Sequence, residues 1–95
     1  GYSFVEENLG VVQPIVIDGA QPTFENIADG KYKLSRLLYV YLKGEHAKLV
    51  PGLKAFAHEI TLEGAMGPDG YMARKGLIPL HEEQRQAIRK KVDAL

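Results

Sequence analysis

The densest apolar run in the chain is Leu37-Leu38-Tyr39-Val40-Tyr41-Leu42. On an extended backbone it sets Leu38, Val40 and Leu42 on one face and Leu37, Tyr39 and Tyr41 on the other. A run that is apolar on both faces predicts a strand covered on both sides, as in a layered α/β sheet rather than an exposed hairpin. Val11 to Ile17 is rich in β-branched residues and predicts a second strand, closed by the turn pair Asp18-Gly19. Pro14 has no amide hydrogen for a ladder, which puts that strand at an edge or a bulge.

Elsewhere the period lengthens. Leu53, Phe56, Ala57 and Ile60 stand at helical spacing, with Pro51 suited to the first turn and Gly64 near the end. This stripe is expected to cover one face of the strand at 37–42. Thr23 fits as N-cap of a short helix through Ala28, stopped by Gly30. Tyr2 to Asn8 reads as a turn or two of helix, and Tyr71 to Arg74 as a single turn. His81 to Ala94 reads as a final helix. Glu82 and Glu83 open it and Arg89, Lys90 and Lys91 lie near its end, an order that complements the helix dipole. Its apolar side, Ile88, Val92 and Leu95, is narrow and suits a surface position. No repeat, low-complexity tract or linker divides the chain, so residues 1–95 read as a single segment.

The composition narrows the function classes. With 12 basic and 12 acidic residues the formal charge is zero, and the chain lacks the basic field with which nucleic-acid binders displace counterions. Ninety-five residues without cysteine leave no disulfide and no thiolate metal site. No apolar run approaches the ~20 residues of a membrane helix. The opening Gly1-Tyr-Ser-Phe-Val reads like the tail of a strand entering a helix, so the chain is expected to be a piece of a longer protein.

Candidate chemistry is sparse. His81-Glu82 begins like a His-Glu-x-x-His zinc helix, but Arg85 occupies the second histidine's place. His46 and His58 have no evident partner, and Glu6 and Glu7 are adjacent and cannot face each other. There is no Gly-x-Ser-x-Gly elbow, no phosphate loop and no calcium-loop spacing around Pro68-Asp69-Gly70. The one polar pair to weigh for an oxyanion is Ser35-Arg36, a hydroxyl donor beside a planar guanidinium fork. The competing reading, an arginine bonded to a backbone carbonyl or carboxylate at the mouth of the strand, is preferred. Tyr32, Tyr39 and Tyr41 read as packing.

Four stretches, in order, carry a resemblance. They are Gly1-Tyr-Ser-Phe-Val-Glu-Glu-Asn8; Ile17-Asp-Gly19 with Pro22-Thr23 and Glu25-Asn-Ile27; Gly30-Lys-Tyr32 with Leu34-Ser-Arg36, Leu38-Tyr39 and Tyr41; and Gly70-Tyr71 with Gly76-Leu-Ile-Pro-Leu80. Together they resemble the C-terminal part of phosphate ABC transporter substrate-binding proteins over essentially the whole chain. Lys33 and Leu37 depart from the family, which often has proline at both places.

The resemblance implies an α/β fold, part of one lobe of a type II periplasmic-binding-protein clamp, with few strands covered by helices. It implies a periplasmic protein that works with inorganic phosphate and with the membrane permease of an ABC transporter. The family's anion loops lie upstream of this part, so no binding residue is carried over. The expected role is a structural share of the clamp, without catalysis, cofactor or metal, and the isolated segment is expected to self-associate through paired or exchanged strands. A free-standing interaction or sensor module is the alternative. A third reading, a phosphatase-like enzyme, requires an upstream nucleophile and metal cluster.

Overall fold

Gly76 lies so close to α1 (Tyr2–Glu7) that a side chain there would have its Cβ 2.0 Å from the Cβ of Ser3. Its φ of 91° also lies in the left-handed region that glycine adopts at least cost. This contact seats the start of the chain against its C-terminal part. The structure, a computed structural model, describes residues 1–95. After α1 come α2 (Phe24–Ala28), a 3-10 turn (Gly44–Lys48), α3 (Leu53–Ile60), α4 (Glu63–Met66), α5 (Tyr71–Arg74) and α6 (Glu82–Asp93).

Several of these elements follow local sequence rules. Thr23 caps α2 by accepting a hydrogen bond from the Asn26 amide at 3.2 Å. Asp18 and Gly19 both have positive φ, 49° and 78°, as a two-residue hairpin turn requires. Ile17 and Ala20 close that turn with a pair of 3.0 Å backbone hydrogen bonds. His81 precedes α6, its amide bonded to Gln84 Oε1 at 3.3 Å.

The core is a small helical cluster in the C-terminal half. There α3 packs on α4, α6 and the 3-10 turn, and α4 packs on α5. Ala57 and Ala65 are its most buried apolar residues, at 0% and 1% exposure, so close helix approach rather than large side chains defines it. No large side chain is fully buried. Gly70 serves the same close packing, since a Cβ there would lie 2.4 Å from the Ala65 carbonyl oxygen.

The N-terminal half is far more open. Its one buried side chain is Tyr32, whose hydroxyl donates to the Ile15 carbonyl at 3.3 Å. The radius of gyration is 16.0 Å, against about 12 Å for a closed domain of this length. The accessible surface is 7382 Å², against about 5,400 Å² for a compact monomer of this mass.

The α/β expectation is therefore corrected. The chain is 46% helical and has no strand or sheet, so it is not a lobe of strands covered by helices. The reason lies in pairing. A strand exists only against another, and Lys33–Leu42 makes no backbone hydrogen bond to any residue. The other β-branched run cannot supply a partner, because its ends fold on themselves in isolated bridges, Leu9 to Val12 and Ile17 to Ala20. Residues Leu37 to Tyr41 are accordingly 57–88% exposed rather than buried on both faces. The helix carrying the stripe, α3, packs on α6, α4 and the 3-10 turn rather than on a strand, and Phe56 of the stripe is 57% exposed.

Candidate functional site

The best-ordered group of charges joins α4 to α6. Arg85, one turn into α6, is 7% exposed and reaches back to Glu63 at the start of α4. Its Nε and Nη2 donate to Glu63 Oε1 and Oε2, each at 3.1 Å. This is the bidentate fork that a planar guanidinium makes with a carboxylate. The third arm, Nη1, donates to the Leu80 carbonyl just before the helix.

Arg89, one turn further along α6, completes the group. Its Nη2 donates to Glu63 Oε1 at 3.0 Å and to the Thr61 carbonyl at 2.8 Å, and its Nε donates to the same carbonyl at 3.1 Å. Thr61 is itself buried, with Oγ1 donating to the His58 carbonyl at 2.7 Å. One carboxylate thus answers two guanidinium groups. The hydrogen bonds from Arg85, then those from Arg89, hold the Glu63 carboxyl below the usual glutamate range, against a smaller opposing effect of desolvation.

A cleft of about 370 Å³ opens beside this cluster, between α2 and the start of α6. Phe24, Asp29, Pro79, His81 and Arg85 line it. Across it, His81 Nε2 stands 2.9 Å from Asp29 Oδ1, a contact between the two halves of the chain. A second hollow of about 460 Å³ lies over Tyr2, Phe24 and Arg74. At its edge the Tyr2 ring meets Phe24 edge-on, with centroids 6.5 Å apart. Partial burial, then the hydrogen bond to Glu6 Oε1 at 2.9 Å, raises the Tyr2 hydroxyl above its ordinary value.

Ser35 and Arg36 do not join either hollow. Ser35 Oγ donates to the Tyr32 carbonyl at 3.0 Å, and Arg36 is exposed on the irregular segment after it, with no ion pair. The two residues make no shared contact with the Arg85 cluster. His58 pairs with Asp93 at 3.2 Å and His46 lies exposed in the 3-10 turn. No three His, Asp or Glu side chains converge as a metal site, and no helix is long and apolar enough to cross a membrane.

Sequence reasoning missed the Glu63–Arg85–Arg89 group. Arg85 entered it only as the residue that breaks a zinc pattern. The i, i+4 spacing of Arg85 and Arg89 places both on one face of α6 and is the one local signal. The shared carboxylate and the Thr61 carbonyl oxygen occupy the Nε/Nη2 edges of both arginines, the forks that an incoming anion would use first. No family model matches the chain, and neither a curated protein nor a solved structure is similar to it.

Proposed function

We propose that the chain is the C-terminal share of a periplasmic phosphate-binding protein that serves ABC-type phosphate uptake, contributing packing rather than the anion site. One observation carries the reading. Stretches that resemble the phosphate-binding family, though distant in sequence, meet in space. Ser3 of the first touches Gly76 of the last, Tyr2 meets Phe24 within the second, and Tyr32 of the third closes on Ile15 just before the second. Residues selected for a common frame behave this way, because each needs the others' shape to be useful.

The electrostatics agree with a role in packing. Arg85 and Arg89, the guanidinium groups held in fixed geometry, are engaged by Glu63 and by the Leu80 and Thr61 carbonyls. Phosphate recognition then falls to helix-end donors elsewhere in the protein, with the permease as membrane partner. No catalytic role is assigned to any residue.

The test removes the coding region for these residues from its gene and follows radiolabelled phosphate uptake in phosphate-starved cells. Loss of high-affinity uptake, with the intact protein recovered from the periplasmic fraction of the parent strain, is the expected result. Uptake that is unchanged by the deletion overturns the reading.

A further inference from the structure

The segment Lys33–Lys43 has features of a surface made to be covered. Its backbone bends at Lys33 and Leu34, forms neither helix nor strand through Leu42, and makes no hydrogen bond with any other backbone group. Leu37, Leu38, Tyr39, Val40 and Tyr41 stand 57–88% exposed along it, and Leu42 is half-buried. Tyr39 and Tyr41 already lie side by side, with ring centroids 6.2 Å apart, as same-face neighbours on a strand do. Both edges of the segment are open templates for an added strand.

Charge decides what occupies it. Lys33 and Arg36 flank the apolar stretch on one side and Lys43 on the other, and no acidic residue lies between Lys31 and Lys43. Lys33 and Arg36 have no ion pair, and Lys43 has only an exposed one with Glu45 at 3.7 Å. A second copy is a poor match. Antiparallel pairing centred on Tyr39 and Val40 sets Arg36 opposite Lys43 at both ends, and parallel in-register pairing sets each cation opposite itself. A slipped antiparallel register would bring Arg36 to Glu45, but Glu45 belongs to the 3-10 turn and is not extended.

We propose that Lys33–Lys43 is a strand-addition site for a second polypeptide whose extended, apolar segment carries aspartate or glutamate at both ends. Main-chain hydrogen bonds supply the affinity, the alternating Leu, Val and Tyr side chains supply the apolar contact, and the terminal cations select the acidic ends. The proposal stands on this segment alone and is independent of the phosphate reading.

The test titrates the chain into a fluorescein-labelled peptide of alternating valine and threonine with two aspartates at each end. A second peptide replaces the aspartates by lysines. The acid-ended peptide is expected to bind about tenfold more tightly, the size of two or three cross-strand charge pairs. The double variant Arg36→Glu, Lys43→Glu is expected to reverse the order of the two peptides, a readout that misfolding does not imitate. Placing proline at both Tyr39 and Val40 removes a donor from each edge and is expected to abolish binding of either peptide. Equal binding of the two peptides, or no binding of either, overturns the proposal. So does a chain dimer in sedimentation that the two prolines dissolve, since the occupant is then a second copy.

Discussion

Arg85 and Glu63 stand 22 positions apart and meet through two hydrogen bonds of 3.1 Å that tie α6 to α4. The pair is asymmetric. The arginine side chain is 9% exposed, while the glutamate's is half exposed and open to solvent screening. The arginine therefore bears the greater burden, because its loss also strips the Leu80 carbonyl of its donor.

Replacing Arg85 by alanine is expected to destabilise the chain by about 1–3 kcal/mol, the cost of losing charged hydrogen bonds to Glu63 and the donor to the Leu80 carbonyl. Arg85→Lys is expected to recover little, since an ammonium cannot span both carboxylate oxygens and Leu80 together. Urea unfolding followed by circular dichroism measures both. A lysine variant as stable as the parent would show that charge alone, without the fork, holds α6 in place.

The same cluster sets a pH dependence whose sign follows from Glu63. Its folded carboxyl titrates below the ordinary glutamate value, because the hydrogen bonds from Arg85 and then Arg89 favour the charged form. A depressed carboxyl contributes stability above the unfolded value and loses it as pH falls through the folded one. The melting temperature is therefore expected to drop as pH is lowered below about 4.3, the ordinary glutamate value, and Glu63→Gln is expected to flatten that part of the curve. An identical acid limb in the variant would place the titration elsewhere.

Gly76 separates two kinds of constraint. Both Gly10 and Gly76 have a φ of 91°, but space around Gly10 is open, whereas a Cβ at Gly76 runs into Ser3. Gly10→Ala is expected to cost only the backbone strain, about 1 kcal/mol. Gly76→Ala adds the clash and is expected to cost more and to release α1. Limited proteolysis, with cleavage after Phe4 as the readout, distinguishes them: only the Gly76 variant is expected to be cut faster than the parent.

Phe56 and Ala57 show how far the sequence could be read. Helical spacing located α3 and its stripe, as Thr23 located α2 and the Glu-first, Lys-last order located α6, because caps, dipoles and 3.6-residue periods act within a turn. What the stripe packs against is not a local property. The apolar run at 37–42 has a strand's pattern, yet a strand also needs a partner, and no other part of the chain supplies one. The Glu63–Arg85 pair was hidden for the same reason, since nothing near either residue marks the other. Phe56→Ala is consequently expected to cost less than about 1.5 kcal/mol, well short of a buried phenylalanine's 3–5 kcal/mol. Ala57→Leu, at a fully buried position, is expected to cost about 1–3 kcal/mol by overpacking. Thermal unfolding of the pair ranks them, and a larger loss at Phe56 would restore the sheet-covering arrangement.

Amide hydrogen exchange reports the state of the unpaired segment Lys33–Leu42 directly. A backbone N–H exchanges slowly only when a hydrogen bond must open first. Residues Lys33–Leu42 have no such bond, whereas α6 carries a continuous helical ladder over Glu82–Asp93. The amides of Leu37 to Leu42 are therefore expected to exchange at nearly the rate of an unstructured peptide, while those at the centre of α6 are protected. Apolar side chains do not change this expectation, because exposure of Leu38 at 66% and Val40 at 64% leaves water free access to the main chain. Adding a saturating acid-ended strand peptide is expected to slow exchange at alternate positions, since successive amides of an extended chain point to opposite edges and one added strand pairs with only one of them. Protection of every amide in the segment before any peptide is added would mean that a strand partner is already present within the chain or between its copies.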